Sequence, residues 1–79
     1  MKVEMNLYAS LKRYVPDKSG GTSCKAEVDR GTTIVELLNE MKLPLDEIKI
    51  IFLNGRHAKG DEILKEGDRV GVFPPVAGG

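Results

Sequence analysis

Along the first eight residues, Val3, Met5 and Leu7 alternate with Lys2, Glu4, Asn6 and Tyr8. A period of two predicts a strand with one buried face, because successive side chains leave opposite sides of an extended backbone. The alternation weakens over Ala9 to Tyr14, where Leu11 stands beside Lys12 and Arg13, and a short turn or helical piece is predicted there. From Val15 to Thr22, Pro16, Asp17, Ser19, Gly20 and Gly21 supply the preset or positive φ angles of an exposed loop. Cys24, Ala26 and Val28 then alternate with Lys25, Glu27 and Asp29, which predicts a second strand paired antiparallel with the first.

After Gly31 the period changes. Ile34, Leu37, Leu38 and Met41 fall at i, i+3, i+4 and i+7, the stripe of a helix, and Thr33 with Glu36 makes a capping-box pair at its start. Pro44 bars continuation past Leu43. The apolar run from Lys49 to Leu53 predicts a third strand, ended by the turn-forming Asn54-Gly55. Ile63 and Leu64 are expected to pack a connector, and Glu66-Gly67-Asp68 to turn into a last strand, Arg69 to Phe73. In that strand Val70 and Val72 share one face, Gly71 and Phe73 the other. The order strand, strand, helix, strand, strand predicts an α+β fold, a mixed sheet packed on one main helix.

Composition removes whole classes of function. With 79 residues, 41% of them hydrophobic and 30% charged, the chain is expected to form one small globular domain with a modest core. Twelve Lys and Arg balance twelve Asp and Glu, so no basic field favours nucleic acid or an anionic membrane. A single Cys allows neither an internal disulfide nor a cysteine zinc cage and predicts a reducing, cytoplasmic setting, and the N-terminal alternation is unlike a signal peptide. Cys24 shares parity with Ala26 and Val28 and reads as a small hydrophobe. His57 has no companion ligand, Arg56 reads as a solvated turn residue, and Asp46-Glu47 and Asp61-Glu62 read as solubilising or helix-start charges. The glycines form no phosphate-cradling loop, so neither a metal nor ATP is expected to bind this chain. That is too little chemistry for a self-sufficient enzyme.

The ending Phe73-Pro74-Pro75-Val76-Ala77-Gly78-Gly79 stands apart. Two prolines give up ladder donors and hold their predecessors extended, so the strand is expected to pass into a stiff tail. Residues 1–73 then make the domain and 74–79 a tail that reaches up to about 20 Å at roughly 3.3 Å per residue. Gly78 and Gly79 lack side chains, which suits threading through a narrow channel and leaves the terminal carboxylate open to attack.

Together with the element order, the segments Asn-Gly-Arg-His-Ala at 54–58 and Leu-Lys-Glu-Gly-Asp-Arg-Val at 64–70 and this ending carry a resemblance. Over essentially its whole length the chain resembles the MoaD/ThiS sulfur carriers, ubiquitin-like β-grasp proteins whose mixed sheet has four to five strands. The ending is closer to the small subunit of molybdopterin synthase than to the thiamine carrier. The resemblance implies that a ubiquitin-activating-type adenylating enzyme uses ATP to join AMP to Gly79, and that a sulfur donor protein converts the adenylate to a thiocarboxylate. The sulfur would then pass to the molybdopterin synthase large subunit, or to thiazole synthase in the thiamine pathway, with the catalytic groups on those partners. Two other readings stay open: a modifier linked to lysines through Gly79, and a binding module with an inert tail. Pro74, Pro75 and Gly78 would thread the tail, and Phe73 and Val76 would contact the partner. Parity alone leaves either Ile50 with Phe52 or Ile51 with Leu53 facing outward. The likeness to ubiquitin, which binds through the outward residues of these two strands, selects Phe52, Gly71 and Phe73.

Overall fold

The computed structural model describes residues 1–15 and 23–75. Most of the expected 15–22 loop, and the tail residues Val76, Gly78 and Gly79, lie outside the described residues. The strands are β1 (Lys2–Leu7), β2 (Ser23–Glu27), β3 (Ile50–Leu53), β4 (Arg56–Ala58) and β5 (Arg69–Phe73), with one α-helix, α1 (Ile34–Glu40). Short 3₁₀ turns occupy Ala9–Tyr14 and Leu45–Glu47. The sheet runs β2-β1-β5-β3-β4. Its central pair, β1 and β5, is parallel, and the other neighbours are antiparallel.

This architecture matches the predicted β-grasp, with a fifth strand that hydrophobic patterning does not reveal. Asn54 and Gly55 both adopt positive φ, 52° and 82°. That geometry turns a tight hairpin whose twist matches the sheet, so the chain returns as β4 beside β3 instead of leaving it. The turn is fastened by Asn54, whose amide nitrogen donates to an Asp68 carboxylate oxygen at 3.0 Å and whose Oδ1 accepts from the Arg69 backbone at 2.9 Å.

Alternation decides the two faces. Val3, Met5 and Leu7 of β1 and Val70 and Val72 of β5 are all buried, and Ile34, Leu37 and Leu38 of α1 join them in one core. Ile51 and Leu53, then Cys24 and Ala26, pack more loosely at its margins, as expected of strands farther from the centre. The capping box forms as expected: Thr33 Oγ1 accepts from the Glu36 backbone and the Glu36 carboxylate accepts from Thr33 N at 2.9 Å. Two expectations need correction. Leu64 is buried, but Ile63 is 58% exposed, because its backbone bridges to Thr33 and turns its side chain outward. Asp61-Glu62 is more than a solubilising pair. The Glu62 carboxylate accepts from Lys59 N and Gly60 N, both at 2.8 Å, and those bonds hold its pKa below the usual carboxylate value. Among the described residues no helix is long and apolar enough to cross a membrane.

Candidate functional site

The sheet face turned away from α1 carries the residues that the core does not use. Register places Gly71 of β5 between Asn6 of β1 and Phe52 of β3, and Phe52 opposite His57 of β4. Tyr8 continues β1 past its last residue, its N–H donating to the Val72 carbonyl at 3.1 Å, which brings its side chain beside Phe73.

Three aromatic rings meet there. Tyr8 and Phe73 stack with centroids 4.3 Å apart and planes 8° from parallel. Phe52 meets Phe73 edge to face at 5.7 Å and His57 in the same manner at 4.7 Å. Such offset and edge-to-face contacts put the positive rim of one ring against the negative face of the next. All three rings are half-buried. Gly71 lies at their hub: a Cβ there would sit 3.5 Å from Tyr8 Cε2 and 3.9 Å from Phe52 Cβ and Phe73 Cε1. Its missing side chain leaves a basin of about 370 Å³, rimmed by Asn6, Asn54 and Arg69. On the other side of the Phe52 and Phe73 pair, a groove of about 490 Å³ runs past Ala9, Lys49 and Ile50 to Pro74 and Pro75.

The structure thus brings Phe52, Gly71 and Phe73 onto one face, with Pro74 and Pro75 leading away from it. Ile51 and Leu53 pack toward the core instead. Val76, Gly78 and Gly79 lie outside the described residues. Tyr8 is the member that sequence reasoning did not select as a site residue. Its parity with Asn6 was a usable sign of an outward aromatic. Elsewhere, Cys24 packs half-buried against the core, His57 and Arg56 are exposed on β4, and Glu47 pairs with Arg13 at 2.7 Å. Among the described residues no three His, Cys, Asp or Glu side chains gather as a metal would require. The arrangement offers apolar aromatic area on an open sheet face, with Pro74 and Pro75 at its edge.

Known proteins share this architecture. A family model, that of the ThiS family, matches residues 7–79. A comparison with curated protein sequences gives no match. Among solved structures, the chain is similar to a Pyrococcus furiosus protein assigned as molybdopterin converting factor, subunit 1. The two are 28% identical, 96% of this chain and 99% of that one are covered, and the TM-score is 0.73. SAMP1 from Haloferax volcanii matches over the full length of both chains with 24% identity and a TM-score of 0.75. A chain from the Helicobacter pylori complex of subunits 1 and 2 of molybdopterin-converting factor also aligns over both full lengths, with 24% identity and a TM-score of 0.63. At those identities the last two likenesses establish the ubiquitin-like β-grasp fold.

Proposed function

The chain belongs to the ThiS family, and from that premise we propose that it is a sulfur carrier that works through a thiocarboxylate at Gly79, serving molybdopterin synthesis. Proteins of this family type are small sulfur carriers or modifiers rather than enzymes. The observation that carries the proposal is the family match running through to Gly79, joined to an aromatic face that ends at Pro74 and Pro75. In this reading residues 1–73 are the docking domain and 74–79 the working tail. Phe52, Gly71, Phe73 and Val76 meet the partner, while Pro74, Pro75 and Gly78 let the tail enter its channel.

The chemistry follows from the poor electrophilicity of a carboxylate. On an adenylating enzyme, the Gly79 carboxylate oxygen attacks the α-phosphorus of ATP and releases pyrophosphate, which leaves an acyl-adenylate. Free hydrosulfide, the sulfur source in the test below, attacks the acyl carbon, AMP departs with the bonding pair of the C–O bond, the S–H proton passes to solvent, and the thiocarboxylate remains. This chain supplies the reacting carboxylate and the docking face; ATP and the acid-base groups belong to partners. The Helicobacter pylori assembly of subunits 1 and 2 supports a large synthase subunit as the second partner.

Incubation with the source organism's adenylating enzyme, ATP and sulfide tests the proposal. The expected product is alkylated at Gly79 by a thiol-directed reagent, and a chain lacking Gly79 gives none. Labelling is read at the C-terminus by peptide mapping, since Cys24 also carries a thiol; equal C-terminal labelling of the deleted chain, or none of either, overturns the reading. An acyl-adenylate also precedes isopeptide linkage, so conjugates to lysines in place of the alkylated product would indicate a modifier. Transfer of the sulfur to the large synthase subunit, and not to thiazole synthase, identifies the pathway.

A further inference from the structure

The docking face has an uneven charge distribution that says what its partner looks like. The Gly71 basin and the groove at Pro74 and Pro75 share Phe52 and Phe73, and each carries one cation at its edge: Arg69 at the basin, Lys49 at the groove. The Arg69 side chain is 73% exposed, and its Nε lies 3.9 Å from a Glu4 oxygen. That is too long for a hydrogen bond and leaves guanidinium donors unspent. Lys49 is exposed and makes no ion pair among the described residues.

The anions beside Arg69 are engaged within the chain. Glu4 accepts from the Asn6 amide at 3.0 Å, and the two Asp68 oxygens accept from the Asn54 amide and from Lys65 N. In a chain of zero formal net charge, two under-used cations flanking one apolar patch form a local asymmetry and not a global excess. An apolar partner seated on Phe52 and Phe73 would strip water from both cations. That penalty is offset only if the partner brings carboxylates to them, and a basic partner is repelled.

We infer that the surface received by this face is an apolar projection flanked by carboxylates, gripped between Lys49 and Arg69. The inference rests on the carrier reading, with the adenylating enzyme as the first such partner. The test is ATP–pyrophosphate exchange by the source organism's adenylating enzyme, titrated with wild-type chain, Lys49→Glu, Arg69→Glu and Lys42→Glu. Lys42, exposed just past the end of α1, makes the same change in net charge away from the face.

At low ionic strength, Lys49→Glu and Arg69→Glu should each raise the KM for the carrier about fivefold or more, with kcat unchanged. Added salt should shrink the difference. Lys42→Glu should stay within about twofold of wild type. Thermal melts confirm that each variant is folded. Because Arg69→Glu places a carboxylate beside Glu4, Arg69→Gln is measured alongside it and should raise KM in the same direction. The inference stands only if both positions respond and Lys42 does not. Wild-type KM values at either position overturn it while the carrier reading survives, whereas no exchange with the wild-type chain overturns both.

Discussion

The two faces of the sheet are built from alternating residues of the same strands, yet they obey different rules. Toward α1 the side chains are aliphatic and buried: Met5, Leu7, Val70 and Val72 are shielded from water by Ile34, Leu37 and Leu38. Away from it the rings of Tyr8, Phe52 and Phe73 are half-buried and pack on one another. Aliphatic packing gains most when nothing is left exposed. Aromatic clusters keep their shape while still offering apolar area, which suits a surface that must be free at one time and covered at another.

Leu38→Ala should break the inner face. A buried leucine removed without collapse costs about 2 to 5 kcal/mol, a large part of a small domain's stability, and denaturant unfolding would show the midpoint fall. Gly60→Ala attacks the same face from outside the sheet. Gly60 has φ +114°, and a Cβ there would lie 2.6 Å from Val35 Cγ2 on α1, so a loss of about 1 to 3 kcal/mol is expected in the same assay.

On the outer face the balance should reverse. Phe73→Ala loses the stack on Tyr8 and the edge contact with Phe52, for about 1 to 2 kcal/mol of stability. In calorimetric titration with the adenylating enzyme it should weaken binding by about 1 to 3 kcal/mol, and Phe52→Ala should behave alike. If either variant instead melts like Leu38→Ala and binds normally, the outer face is structural and the contrast collapses.

Gly71→Ala sharpens the comparison further. Its added methyl meets the Tyr8 and Phe73 rings and Phe52 Cβ at ordinary contact distances, so the melting temperature should hardly move while the basin floor fills. Unchanged partner binding would show that nothing seats between those rings. The smallest effect belongs to Glu62, whose pKa is lowered from 4.5 by the backbone donors of Lys59 and Gly60. A depressed carboxylate contributes stability above its unfolded pKa and loses it as pH falls through the folded value. The melting advantage of wild type over Glu62→Gln should therefore be present at neutral pH and fade below 4.5.

Local signals in the sequence were enough for much of this. The alternation in β1, the Thr33 and Glu36 capping box and the Asn54-Gly55 turn each depend on neighbours in the chain, and each formed as predicted. β4 escaped notice because Arg56, His57 and Ala58 have no hydrophobic pattern and are a strand only through pairing with β3. The aromatic cluster was legible in part. Parity turned Tyr8 and Phe73 outward, but their stacking depends on the parallel pairing of β1 with β5, which joins opposite ends of the chain. The role of Glu62 is not legible in the sequence because its partners are backbone N–H groups, which residue types do not advertise. The missing side chains of Gly78-Gly79 point to threading and an open carboxylate, while the reaction at Gly79 is implied only by the resemblance.

That pairing of the first strand with the last has a consequence during synthesis. Val70 and Val72 sit at the middle of the core, and β5 separates β1 from the β3–β4 hairpin. A nascent chain that has not yet released β5 has a split sheet and an open core, so folding of this domain waits for β5 to emerge. A chain that stops before Arg69 lacks the strand that joins the two parts of the sheet and is expected to be open to proteases. A folded domain therefore reports that the chain was made at least as far as β5, whatever follows it.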